Sequence, residues 1–151
     1  VPTILFFLGI LLAVAALQSA GHLDVLATYL DENLRDIYII NIIIGMLSAI
    51  VDNVPLVAGA MGMYPVLEVE EAMGDPYMMN YIVDGKFWQF LAYCAGTGGS
   101  ILIIGSAAGV AAMGLERIDF IWYMKRISLL ALVGYLAGAL VYWIQIEVLM
   151  L

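Results

Sequence analysis

Asp52 is the only formally charged residue between positions 37 and 67. It lies in Ser48-Ala-Ile-Val-Asp52-Asn53-Val-Pro55, with a proline three positions on. A carboxylate at bilayer depth costs about 2.5–3.5 kcal/mol on insertion scales, and intramembrane carboxylates typically line ion or proton pathways. A second uncharged run, 87–115, is interrupted by Gly96-Thr97-Gly98-Gly99-Ser100. Broken helices expose carbonyls at the end of one half and amides at the start of the next. The two interruptions together offer the Asp52 carboxylate, the Asn53 carboxamide, the hydroxyls of Ser48, Thr97 and Ser100, and backbone oxygens. Such hard oxygen donors suit Na⁺ or Li⁺ and suit thiophilic metals poorly. Burial favours the protonated form of a carboxylate and a nearby cation favours the ionised form. Competition between proton and cation at Asp52, with Asn53 and Thr97 as further ligands, is therefore the simplest exchange chemistry these residues support.

The elements that hold these groups follow from composition. The chain is 65% apolar and 12% charged, against about 25% charged in globular proteins, so it is built for lipid. Spans are expected at about 1–23, 87–115 and 125–147, each reaching the roughly 20 residues that cross a bilayer. The segments between them are short, so 1–151 reads as a single all-α polytopic transmembrane region with membrane lipid as its first partner. The net charge of −8 gives no reason to expect nucleic acid. The single cysteine, Cys94, excludes an intramolecular disulfide, and His22 reads as an interfacial residue at the end of the first span. Nothing in the first 17 residues reads as a cleaved signal, and the chain is expected to be an internal or C-terminal piece of something longer.

Stretch 37–67 has two readings. Three of the five basic residues, Arg117, Lys125 and Arg126, fall in 116–126, which the positive-inside rule places in the cytoplasm. Span 87–115 then runs inward. If 37–67 dips in and returns, the acidic loops 24–36 and 68–86 both face outward and the charge cues agree. Halves of about 24 Å and 15 Å, at 1.5 Å per residue, are each too short to cross. Pro55 suits a first helical turn, Asn53 is placed to cap it, and Val54 is pushed out of the helical region by the proline that follows. The expectation is a re-entrant hairpin with Asp52, Asn53 and Val54 at its tip. The other reading is one long, proline-kinked helix. For Gly96, Gly98 and Gly99 the competing reading is small-residue packing between helices, which is also how Gly105–Gly109 reads.

Three motifs carry a family resemblance: Val1-Pro-Thr-Ile-Leu-Phe-Phe-Leu-Gly-Ile, Ser48-Ala-Ile-Val-Asp52-Asn53-Val-Pro55-Leu-Val-Ala, and Cys94-Ala-Gly-Thr-Gly-Gly-Ser100. Over essentially its whole length the chain resembles the C-terminal half of NhaD-type sodium/proton antiporters of the ion transporter superfamily. The resemblance implies inverted-topology halves, each with a re-entrant hairpin and a broken helix, and a homodimer formed through a scaffold. It implies a partner in the N-terminal half, no cofactor beyond transported Na⁺ or Li⁺ and H⁺, and the inner membrane of a bacterium. On that pattern Asp52 and Asn53 are hairpin-tip residues, and Thr97 and Ser100 lie in the broken helix. Other classes stay open: a cation-coupled carrier of dicarboxylate or arsenite, or a structural subunit whose Asp52 pairs with a partner helix. An intramembrane protease lacks its second aspartate, and no histidine lies beside Ser48, Ser100 or Ser106, so no enzyme is expected.

Overall fold

A computed structural model describes residues 2–149, which form helices joined by short turns, with no strand among them. The first apolar stretch is divided. Helix α1, Pro2–Ser19, stops one turn before the expected end. Gly21, at φ 73°, turns the chain in a conformation that only glycine takes cheaply, and α2, His22–Leu34, follows. His22 thus opens a helix rather than closing a span, and the acidic segment 24–36 is mostly helix rather than loop. Its apolar positions Leu23, Ala27, Leu30 and Leu34 recur at helical spacing; Leu23 and Ala27 are buried, while Asp24 and Glu32 stay exposed.

Asp36 ends the turn after α2 by accepting hydrogen bonds from the Tyr38 and Ile39 amides at 2.8 and 3.1 Å, and so caps α3, Ile37–Leu47. The chain then tightens. The amides of Ala49 and Ile50 bond three residues back, a 3₁₀ pattern common at helix ends. Asp52 is extended (φ −55°, ψ 144°), and α4 runs Asn53–Met63. Pro55 falls in the first turn of α4, where an amide has no partner to lose. The expected roles of its neighbours shift by one or two residues. Val54 is helical, and Asp52, not Asn53, holds the cap position, with no side-chain cap bond. The bias of the proline against a helical Val54 is thus overridden, and the extended residue is Asp52, where the helix begins.

After α4, a connection built on α5, Val69–Ala72, and a 3₁₀ turn at Met78–Tyr81 leads to α6, Lys86–Gly98. The interruption expected at Gly96–Ser100 lies further along: Gly96, Thr97 and Gly98 are helical, and the chain is irregular over 99–106. Helix propensity is only a weak prior, so Gly96 and Gly98 do not by themselves stop a helix already packed along its length. Ser106 then accepts from the Gly109 amide at 3.2 Å and caps α7, Ala107–Glu116. The basic segment expected as a loop is largely helix α8, Phe120–Arg126, with Lys125 and Arg126 in its last turn, where positive charge suits the helix dipole. Helix α9, Ser128–Trp143, continues as a π turn over Ile144–Val148.

Two apolar clusters hold these helices together. One joins Ile37, Ile40 and Ile44 of α3 to Ala60 and Tyr64 at the far end of α4, and to Phe87 and Leu91 of α6. The other joins Ala49, Phe90, Cys94 and Ile101 to Tyr135 and Ala139 of α9. Among the described residues, Ser128–Val148 is the one helix long and apolar enough to cross a membrane unaided, and it exposes Leu129, Leu130, Val133, Leu136 and Leu140.

Candidate cation site

The two interruptions come together because α3 and α6 lie side by side and run the same way. Asn41 meets Phe87, and seven residues later Ser48 meets Ala95. Glycine makes the approach possible. A Cβ on Gly98 would overlap the Gly45 carbonyl, and one on Gly105 would overlap the Ser48 carbonyl. Gly99 sits in the same contact, with the Gly105 and Ser48 carbonyls beside it. The 48–52 break is therefore packed directly on the 99–106 break. Gly105 is a packing glycine, as its surroundings in sequence suggested, whereas Ser106 beside it is a helix cap.

The expected site residues divide into two groups. Ser48 is fully buried, and its hydroxyl donates to the Ala95 carbonyl at 2.8 Å. Gly98 and Gly99 lie in the seam with it. Asp52 is half-buried at the start of α4. Asn53 is exposed and lines a shallow cavity of about 340 Å³ with Val54, Val57, Ala58 and Met61. Thr97 is exposed on α6, its hydroxyl donating to the Tyr93 carbonyl of its own helix at 2.7 Å. Ser100 is exposed, and its carbonyl accepts from the Tyr123 hydroxyl at 2.7 Å. Gly96 faces open space and approaches nothing. Among the described residues, no hydrogen bond joins Asp52 or Asn53 to Thr97 or Ser100.

The donor set is one carboxylate with neutral oxygens. Among the described residues there is no group of three His, Cys, Asp or Glu side chains placed to hold a metal.

Residue-by-residue reading missed Asn41. It is fully buried on α3, and its amide donates to the Ile37 carbonyl at 3.0 Å and to the Phe87 carbonyl at 3.2 Å. The signal was present: Asn41, Gly45 and Ser48 recur at intervals of four and three, a single helix face, in a stretch otherwise rich in isoleucine.

The described residues form an all-helical chain with one exposed apolar helix, Ser128–Val148, long enough to cross a membrane, and its relatives are integral membrane transporters. The chain belongs to the citrate transporter family (CitMHS), whose profile matches residues 1–84. It is similar to sodium/proton antiporter 1 of Arabidopsis thaliana, at 51% identity over 91% of this chain and 22% of that protein. It is also similar to sodium/proton antiporter 2 of the same plant, at 47% over 91% of the chain and 30% of that protein. The Na⁺/H⁺ antiporter NhaD of Halomonas elongata is 34% identical over 93% of the chain and 25% of its own length. The chain thus spans less than a third of the length of these three relatives. No solved structure matches it significantly.

Proposed function

We propose that this chain is the C-terminal part of a sodium/proton antiporter in which Na⁺ or Li⁺ competes with H⁺ at Asp52. The observation that carries the reading is the placing of Asp52. It is the one charge in its stretch, half-buried at a helix break that is packed on a second break. Asn53, Thr97 and Ser100 supply neutral oxygens to the same ion. Thr97 keeps its hydroxyl lone pairs free for such a role, since that hydroxyl acts as donor to Tyr93. The antiporter names of relatives matching about nine-tenths of the chain support the same activity.

The hairpin belongs to this proposal. Helices α3 and α4 have 11 residues each, about 16 Å at 1.5 Å per residue, roughly half of the hydrocarbon thickness. The start of α3 and the end of α4 share one core cluster, which supports a chain that enters and leaves on one side. With α6 and α7 as the two halves of a broken span, residues 116–126 face the cytoplasm. The N-terminal half of the transporter completes the site, and a scaffold forms the homodimer. The bacterial NhaD relatives fit the bacterial inner membrane, although the Arabidopsis proteins show that such segments are not confined to bacteria.

The family's description as citrate transporters favours a second reading, a cation-coupled carrier of a carboxylate solute. A fixed carboxylate at the break repels such a substrate, so we place it second. In everted vesicles bearing the full-length protein, Asp52→Asn is expected to abolish Na⁺-driven proton movement while insertion and assembly persist. Full exchange by a well-expressed Asp52→Asn variant overturns the proposal, and citrate uptake without Na⁺/H⁺ exchange selects the second reading.

A further inference from the structure

Asn41 differs from its apolar neighbours in carrying a polar group into the packed face of α3. Both hydrogens of its amide go to backbone carbonyls, one in its own helix and one in the first turn of α6. That fixes the orientation of the carboxamide, since a flipped group would aim its oxygen at two other oxygens. The remaining atom, Oδ1, is buried with no hydrogen-bond partner among the described residues. A leucine, of the same branched shape, would avoid that desolvation. What the leucine would not supply is a direct tie between α3 and α6.

Ser48 makes the matching tie two turns further on, to Ala95. Two ties at different heights fix parallel helices against both sliding and pivoting. A single tie leaves α3 able to turn about the close crossing at Gly45 and Gly98. A less direct link runs through α9, from the Tyr135 hydroxyl to the Ile42 carbonyl at 2.9 Å and from the Tyr93 hydroxyl to the Tyr135 carbonyl at 2.8 Å. It bounds the movement without setting the register of α3 on α6.

We propose that Asn41 is a positioning residue for ion exchange, holding α3 in register on α6 so that the 48–52 and 99–106 breaks present their oxygens to one ion. Its kinetic consequence rests on the antiport reading, but its structural consequence does not. Asn41→Leu keeps the branched shape, with somewhat more bulk, and removes the donor. In the full-length transporter carrying Cys94→Ala, spin labels on cysteines introduced at Ile50 and Ile104, both exposed and one in each break, report the separation of the breaks. Asn41→Leu is expected to broaden that distance distribution. It is also expected to raise the apparent KM for Na⁺ about threefold to tenfold, the equivalent of one interhelical hydrogen bond, with the maximal rate retained. A role confined to folding would lower yield and melting temperature without this split between KM and rate. If Asn41→Leu does not accumulate, Asn41→Ser carries the same two measurements, its shorter hydroxyl reaching its own helix but not α6. An unchanged distance distribution overturns the proposal whatever happens to exchange. Exchange that survives Asp52→Asn overturns the antiport reading alone and leaves the distance measurement standing.

Discussion

The Ser48 hydroxyl and the Ala95 carbonyl, 2.8 Å apart and fully enclosed, join the helix before one break to the helix before the other. Ser48 is therefore committed as a donor within the protein, whatever its oxygen also offers an ion. Ser48→Ala is expected to lower stability in detergent by about 0.6 kcal/mol, the mean measured for interhelical hydrogen bonds in a membrane protein, and by no more than about 1.7, the largest such value. A thermal unfolding series of wild type against Ser48→Ala checks this, and an unchanged midpoint would show that the bond contributes nothing.

The glycines of the seam make a sharper contrast. Gly98→Ala and Gly105→Ala each place a methyl group on a backbone carbonyl of the facing segment, and overpacking of that kind typically costs about 1–3 kcal/mol. Gly96→Ala meets nothing within 4 Å and lies inside α6, so it should stabilise by up to about 1 kcal/mol through helix propensity. Melting temperatures of the three variants should fall on opposite sides of wild type. A Gly96→Ala variant as damaged as Gly105→Ala would mean that Gly96 has a contact outside this chain.

Thr97 tests the ion-binding role directly. Thr97→Ser keeps the oxygen and is expected to leave the apparent KM for Na⁺ within about twofold of wild type, while Thr97→Val raises it about tenfold, the worth of roughly 1.4 kcal/mol. Initial rates of Na⁺-dependent proton movement over a sodium series supply the measurement. Equal affinities in the two variants would leave Thr97 with only its bond to Tyr93.

The connection before α6 predicts a pH dependence. The Tyr81 hydroxyl donates to the Tyr77 hydroxyl, and the latter donates to Asp31, each at 3.1 Å. Burial holds both phenols above the ordinary tyrosine range, aided at Tyr81 by its hydrogen bond to Tyr77 and at Tyr77 by the negative charge of Asp31. The unfolded chain therefore releases these protons at lower pH than the folded one, so the associated stability is complete below about pH 10 and declines above it. Tyr77→Phe combined with Tyr81→Phe should reduce the alkaline fall in melting temperature. An identical decline in the double variant would place its cause elsewhere.

Much of this architecture can be read directly from the chain. The lone charge of Asp52 beside Pro55, and the long uncharged runs, lead to short interrupted helices in lipid. The exact placing of the interruptions does not follow from residue preference. Gly96 and Gly98 looked like breaks because glycine tolerates unusual geometry, yet α6 continues through them, since its buried face is already packed on α3. The chain gives way at 99–106, where Ile103 takes a left-handed φ of 62°, a conformation a β-branched residue does not announce. Similarly, acids spaced along 24–36 suggested a loop, while Leu23, Ala27, Leu30 and Leu34 carried a helical period beneath them. The contribution of Asn41 depended on a neighbour 46 positions away, which local pattern cannot supply.

The station of Asp52 at the head of α4 bears on how an ion departs. An 11-residue helix presents a partial positive charge of about half a unit at its first turn, and that charge is fixed beside the carboxylate. On the antiport proposal, a cation held there shares the carboxylate with a competitor that never diffuses away. The grip is loosened by a constant amount, at the same atom that makes binding possible. A carrier that must empty its site on every cycle gains turnover from such moderation, whereas a storage site would lose by it.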